Sequence, residues 1–372
     1  MSASACITRL TLHEIRTYAR LDLELGDGTT VLVGPNGVGK TNLLEACAVV
    51  LSGSSPRTSS ELRLVREGEA AGRIGATVLV GDDQHERDVV FQHGRGKQLR
   101  VDGSPARSVE EFATMVPVVT FLPERLLVIR GAPQRRRALV DQLAARLVPG
   151  AARTQRDYTA ALQQRNALLR RAKVGHDVAA QLAPWTTQLL EHGAAFREQR
   201  ARLLELVAGP HAERFEQLTG LQHATFAAEL RGSGDLQADA VELESAERRR
   251  GSTLLGPHLD DVLPRVAGRD LRAFGSAGEQ RAALLAFTFA ARDALALHLG
   301  VEPVVLLDEP WSELDQDRRR RLTSMLAPLA QVIVTSTEPP SHLGDVLDAV
   351  HVLSVTSGQV QPWDPTDHDS HA

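Results

Sequence analysis

The sequence predicts an α/β fold: a head built on a parallel sheet around a phosphate-binding loop, interrupted by a short helical arm. Three observations predict it. An apolar strand at residues 30–33 runs into the glycine-rich stretch Gly34-Pro35-Asn36-Gly37-Val38-Gly39-Lys40-Thr41 and then into a helical pattern. A second apolar strand, Val304–Leu307, ends in Asp308-Glu309. Between them, residues 135–208 turn to Ala, Leu, Gln, Arg and Glu with few β-branched residues, a composition that favours helix.

Each element follows in chain order. Apolar and polar residues alternate at 6–12 and 21–25, which predicts two strands ahead of the one at 30–33. After Lys40, the residues Leu43, Leu44, Ala46, Cys47, Val50 and Leu51 recur at helical spacing until Gly53 stops them. Residues 76–80, 89–92 and 116–121 read as further strands, the last ending before Pro123. In the arm, stripes such as Leu162, Ala167, Leu168 and Leu189, Leu190, Phe196, Leu203 flank the break Val174-Gly175-His176-Asp177. That pattern predicts two antiparallel helices held together by an apolar seam. Strand and turn signals return after Thr253, a helix with an apolar face at 282–299 follows Gly278, and 332–335 is the last expected strand. A polar tail from Gly358 is expected to fray. The chain thus divides into the N-terminal part of the head at 1–122, the arm lobe at 123–247 and the C-terminal part of the head at 248–372.

Composition narrows the function classes. With 42% hydrophobic, 24% charged and 4% aromatic residues, the 372-residue chain can bury a sizeable core and is neither fibrous nor disordered. Cys6 and Cys47 are too few for a disulfide framework and fit a reducing, cytoplasmic setting. No export signal opens the sequence, and the most apolar stretch is interrupted by Arg292 and Asp293, so no membrane span is expected. A net charge of −5 argues against a polyanion partner for the chain as a whole. The distribution differs from the total: from Arg125 to Lys173 there are twelve basic residues against two acidic ones. Such a run serves either as a solvated helical face or as a surface turned towards a polyanion.

The chemistry lies in three motifs. Gly34 to Thr41 has the phosphate-loop pattern, in which glycines let backbone N–H groups surround phosphate, Lys40 reaches the terminal phosphates and Thr41 ligates Mg²⁺. The following helix adds its own N–H donors and positive dipole end. Asp308, at the C-terminal end of a buried strand, is placed to hold Mg²⁺ through water, and Glu309 beside it to polarise the attacking water. Finally, Ser276-Ala277-Gly278-Glu279-Gln280-Arg281 opens a helix ahead of the acidic strand. Its serine and Glu279 can close a capping box, and the same helix N-terminus can receive an anion.

That third motif resembles the ABC signature, and the longer words of the chain resemble the RecF family, bacterial recombination mediators grouped with Rad50 and the structural maintenance of chromosomes ATPases. The resemblance covers nearly the whole length. It rests on Ile15-Arg16-Thr17-Tyr18, Ser55-Pro56-Arg57-Thr58, Phe121-Leu122-Pro123-Glu124 and Gly131-Ala132-Pro133-Gln134-Arg135-Arg136-Arg137. Gln164-Arg165-Asn166-Ala167-Leu168-Leu169-Arg170 and Leu255-Gly256-Pro257-His258-Leu259-Asp260-Asp261 extend it.

The resemblance implies an ABC-type ATPase head with a short arm, ATP and Mg²⁺ as ligands, and an ATP-dependent homodimer in which Ser276, Gly278 and Glu279 face the γ-phosphate held by the other protomer. It places Arg16 and Asn42 at the nucleotide, Glu124 near the metal, and Arg57, Arg135, Arg136 and Arg137 towards DNA. It further implies binding to double-stranded DNA or its junctions with single strands, weak DNA-dependent ATP hydrolysis, and a repair pathway shared with RecR, RecO and RecA. Three positions depart from the pattern: Glu124 stands in place of the Q-loop glutamine, Thr335-Ser336-Thr337 carries no switch histidine, and Leu259 follows Gly-Pro-His where an arginine is expected. The threonines of the last strand are candidates to substitute for the missing sensor.

Two other classes compete. A transporter's ATP-binding subunit shares all three motifs but carries a switch histidine and needs a membrane partner. A nuclease-associated chromosome ATPase needs heptads running on far beyond this arm.

Overall fold

The computed structural model describes residues 3–58, 60–122, 126–338 and 350–364. Its contacts fall into two compact units: Met1–Arg125, Gln217–Thr219 and Leu284–Ala372 form the first, and Leu126–Glu216 with Gly220–Ala283 forms the second.

The first unit carries two sheets. In the six-stranded sheet the order is Gln359–Pro362, Val350–Thr356, Gly28–Val33, Gln331–Ser336, Val304–Leu307 and Val118–Phe121. All neighbours are parallel except the edge strand Gln359–Pro362. Val304–Leu307 is buried along its whole length, which is why it reads as an uninterrupted apolar run rather than an alternation. The other sheet is antiparallel around the long strand Ala3–Ile15, which pairs with Tyr18–Glu24 and Ala71–Val80, except that the start of that strand pairs in parallel with the short strand Val301–Glu302. The helix Lys40–Ser52 packs into the core that both sheets share, with Leu43, Leu44, Ala46, Cys47, Val49, Val50 and Leu51 buried. Arg87 is fully buried there, donating to the carbonyls of Val50, Leu51 and Phe112 while its guanidinium lies 3.7 Å from the centre of the Phe112 ring. It caps the end of that helix, and burial lowers its pKa to about 10.

At the C-terminal end the structure departs from expectation. Residues 332–335 are followed by two more strands, Val350–Thr356 and Gln359–Pro362, so the segment around Gly358 is a hairpin turn rather than the start of a frayed tail. Val350–Thr356 has a single fully buried side chain, Val355, too little alternation to announce a strand.

The second unit contains the arm helices Pro133–Leu147, Ala151–Lys173, Ala179–Thr219 and Leu236–Arg250, and a three-stranded antiparallel sheet of Arg269–Asp270, Asp261–Val266 and Ala224–Glu229. The break at Val174 is present, and a second one lies at Val148–Gly150, where Gly150 has φ 78°. Helices Ala151–Lys173 and Ala179–Thr219 are antiparallel: Thr154 meets Gln199, Tyr158 meets Phe196 and Arg165 meets Thr186. The expected two-helix seam is a three-helix seam, because Leu236 of Leu236–Arg250 joins Tyr158, Ala161, Leu189, Leu190 and Phe196 in one cluster. The described helix long and apolar enough to cross a membrane, Ala277–Leu299, has 67% of its most apolar window buried, as a core helix does.

Candidate functional site

Gly28–Val33 delivers the phosphate loop at its C-terminal end, and the loop turns on Gly37 and Gly39 with φ 84° and 115°. A side chain at Gly39 would also strike Thr17 Oγ1 at 2.7 Å and the Tyr18 hydroxyl at 2.9 Å, so only glycine fits. The Tyr18 hydroxyl donates to the Gly39 carbonyl at 3.1 Å and pins the loop from outside. The helix that follows starts without a side-chain cap and without an acidic residue in its first turn. Helices starting after Ser108, Asp235, Asp270 and Asp315 are each capped by that residue's side chain, whereas those starting after Ala132, Gly150 and Val178 are not, so the start at Lys40 is set apart by the glycine loop that precedes it. Uncapped N–H groups at a glycine loop are donors left for an anion.

Around this loop the sheet gathers the predicted residues of the first unit. Lys40, only 5% exposed, donates to the carbonyls of Gly34 at 2.5 Å and Pro35 at 3.0 Å, and its ammonium lies 3.4 Å from Glu309 Oε1. The Thr41 hydroxyl donates to Asp308 Oδ2 at 2.9 Å. Thr335 ties the two acids together: its hydroxyl donates to Asp308 Oδ1 and accepts the Glu309 N–H at 2.9 Å. Glu309 has φ 47°, a left-handed conformation that a β-strand does not tolerate, and this turns its carboxylate out of the strand towards Lys40. Burial pushes its pKa up, Lys40 pulls it down and Asp308 pushes it up again, with a net rise.

A hydroxyl and a carboxylate meeting in this way are the donors that Mg²⁺ takes from a protein when phosphate oxygens and waters complete its shell. Among the described residues no group of three or more His, Cys, Asp or Glu side chains is assembled to hold a metal without them. Glu124 lies outside the described residues.

Arg16 and Arg57 meet on a carboxylate that the motifs alone do not mark. Glu45, on the helix after the loop and fully buried, is contacted by Arg16 Nη2 at 3.1 Å, Arg57 Nη1 at 3.1 Å and the Ser55 hydroxyl at 2.5 Å. Asn42 accepts from the same Arg57 nitrogen at 3.3 Å. Its signal in the sequence is an acid at the third position of an apolar run, Leu43-Leu44-Glu45-Ala46-Cys47, which is costly to bury without cationic partners.

The second unit holds the remaining candidates. Ser276 is exposed and closes a capping box with Glu279: the Glu279 carboxylate accepts from the Ser276 N–H at 2.8 Å, and the Ser276 hydroxyl accepts from the Glu279 N–H at 3.2 Å. Gly278 lies in the first turn of the same helix, Ala277–Leu299. Of the four arginines expected to face a polyanion, Arg57 and Arg135 are exposed and Arg136 and Arg137 are buried. Arg136, 1% exposed, grips Asp261 with two bonds of 2.8 Å and donates to the carbonyls of Ile129 and Gly131. Arg137, 9% exposed, donates to the Asp260 carbonyl. Those two side chains are spent on holding the fold, a correction to the expected role, because a buried guanidinium bonded to a carboxylate, as in Arg136, or to a backbone carbonyl, as in Arg137, is turned away from solvent.

The chain matches the family described as RecF/RecN/SMC N terminal domain over residues 6–359. It is 33% identical to the "DNA replication and repair protein RecF" of Gloeobacter violaceus, covering 94% of this chain and 96% of that one. Proteins of the same name from Frankia alni and Acidothermus cellulolyticus are 33% and 34% identical, covering 89% and 91% of this chain and 93% and 96% of theirs. Among solved structures it resembles the "recombination mediator protein RecF-ATP in RecFOR pathway", with TM-score 0.86 and 23% identity over 98% of this chain and 99% of that one. An Smc head domain with an extended coiled coil from Pyrococcus furiosus is more distant, with TM-score 0.57 and 18% identity over 98% of each chain. The ABC-type α/β head expected from the sequence is the fold these structures share.

Proposed function

Because the chain belongs to the RecF family, we propose that it is an ATP-driven, DNA-binding clamp of recombinational repair. The observation that carries the reading is the uncapped helix N-terminus at Lys40, with Lys40, Thr41, Asp308 and Glu309 gathered beside it.

ATP phosphates occupy the loop N–H groups, and Lys40 leaves the Gly34 and Pro35 carbonyls to neutralise phosphate charge that backbone donors alone cannot match. Thr41 and, through water, Asp308 would hold Mg²⁺, which would supply charge neutralisation at the phosphates. Glu309, whose carboxylate the turn after the buried strand presents beside Lys40, takes a proton from the attacking water. Thr335 is a positioning residue, setting the Asp308 carboxylate and the Glu309 backbone with one hydroxyl and standing where the switch histidine is missing. Arg16 and Asn42 line the nucleotide. Ser276, Gly278 and Glu279 of a second copy complete the site, so ATP populates a closed homodimer that retains double-stranded DNA or gap junctions in the cytoplasm. Slow hydrolysis releases the DNA. The likeness to a recombination mediator of a RecFOR pathway supports RecR and RecO as partners, and RecA loading is the outcome the family resemblance implies.

A mixing experiment tests the shared site. Lys40→Met and Ser276→Arg should each abolish ATP-dependent dimerisation and hydrolysis, while Ser276→Arg should retain monomeric ATP binding. In the mixed dimer one of the two sites is wholly wild type, so ATPase should reappear. An active mixture of two inactive parents excludes a site contained in one chain, and a Ser276→Arg protein that by itself dimerises and hydrolyses ATP normally leaves Ser276 a helix cap and overturns the sandwich.

A further inference from the structure

Two arm helices distant in sequence bring their basic ends to one place. Ala151–Lys173 and Leu236–Arg250 run parallel. Tyr158, Ala161 and Leu236 share an apolar cluster near their starts, and further along Arg165 is held by Glu247 at 2.6 Å. At their ends a Cβ on Gly251 would lie 3.0 Å from Lys173 Cδ and 3.6 Å from Arg170 Cα. The last turn of the first helix carries Arg170, Arg171 and Lys173, and that of the second Arg248, Arg249 and Arg250.

Helix C-termini attract cations, which accounts for one basic residue at each end but not for three. Crowding them is repulsive, and compensation is sparse. Arg248 has Glu244 at 2.9 Å, and Arg249 donates to the Ser245 hydroxyl. The neighbouring acids are committed elsewhere, Glu247 to Arg165 and Asp177 to the Ala179 N–H. Arg170, Arg171, Lys173, Arg249 and Arg250 are exposed, and among the described residues none has a carboxylate within ion-pair distance. Lys173 is one of three lysines in the chain. The segments around them, residues 168–177 and 244–253, include no Phe, Tyr or Trp that could stack a base, so the ligand class is a phosphodiester backbone rather than exposed bases.

We propose that the paired C-terminal ends of these two helices form a phosphate-binding site for duplex DNA, separate from the Arg135 to Arg137 segment. It rests on the DNA-binding reading above and adds where the arm touches. The interaction is independent of sequence, and both helices contribute to it.

The test uses the full chain with ATP and a fluorescent duplex, measuring affinity over a range of NaCl concentrations. The variants are Arg170→Gln/Arg171→Gln/Lys173→Gln, Arg249→Gln/Arg250→Gln, and their combination, with exposed Arg95→Gln/Arg100→Gln as the charge control. Each arm variant should lower the slope of log affinity against log salt by about 0.9 for every phosphate it no longer neutralises, and the combination should weaken binding at least about tenfold. Lysine at the same positions should restore the slope, which a folding defect would not allow. A combined variant with the parental slope overturns the arm-end site while leaving DNA binding intact, and an effect confined to one helix overturns the joint site. Parental DNA affinity with lost retention on polyglutamate assigns the patch to an acidic protein and overturns the proposal. If the parent chain itself binds no duplex, the functional reading fails first.

Discussion

The Lys40 ammonium lies 3.4 Å from Glu309 Oε1, so the loop cation and the acid after the buried strand form one ion pair. A phosphate on the loop would compete with that carboxylate for one cation. Glu309→Gln keeps the side-chain shape but removes the base. It should lower ATP turnover by about a hundredfold or more while ATP affinity stays within about threefold, and should lengthen the life of DNA-bound dimers. Single-turnover hydrolysis read beside nucleotide titration checks it; wild-type turnover would place the base elsewhere.

Thr335→Val removes a hydroxyl of nearly unchanged volume that serves Asp308 and Glu309 together. Turnover should fall about tenfold with KM little changed, because the acids lose their orientation rather than their charge. Thr335→Ser should recover most of the loss. A drop that serine fails to rescue would point to packing instead.

Arg136 and Arg135 are neighbours with opposite predicted phenotypes. Arg136→Gln leaves the half-buried Asp261 with Arg272, 3.2 Å away, as its remaining guanidinium and strips a donor from the Ile129 and Gly131 carbonyls, and should cost about 1–3 kcal/mol in chemical denaturation. Arg135→Gln, at an exposed position, should cost less than about 0.5 kcal/mol. If DNA reaches this helix, only Arg135→Gln should change the salt slope. Equal stabilities for the two variants would contradict the burial described.

Acid should destabilise the second unit through two histidines. Burial first, and then Arg137, pushes the His258 pKa down from 6.5 to about 4, and burial does the same to His211. Between those values the unfolded chain takes up protons that the folded chain excludes, so stability is lost as pH falls from about 6.5 towards 4. His258→Gln retains an acceptor for the Tyr158 hydroxyl, which lies 2.6 Å from Nδ1, and should flatten part of the slope. Unfolding midpoints at pH 7 and pH 5 decide it, and an unchanged difference between parent and variant would refute the assignment.

Much of the nucleotide site could be read from residue order, because its pieces are local. A strand, a glycine loop and a helix are consecutive, and an apolar strand ending in two acids needs no partner to be recognised. Glu45 escaped because its meaning depends on Arg16 and Arg57, which approach it from separate loops. The strand Val350–Thr356 escaped because only Val355 is fully buried, leaving too little alternation to mark a face.

By itself the sequence determined the α/β class, the phosphate loop, the acids after the buried strand and the serine-capped helix, since each is written within a few consecutive residues. Only the tertiary structure decided which charges are structural. Arg136 meets Asp261, Arg165 meets Glu247, and a side chain at Gly256, with φ 108°, would strike the Tyr158 hydroxyl at 2.5 Å. These residues lie far apart in the chain, and the low-dielectric interior that makes an unpaired charge costly exists only once the helices have packed. Burial therefore divides one basic run into arginines that hold the fold and arginines left to solvent.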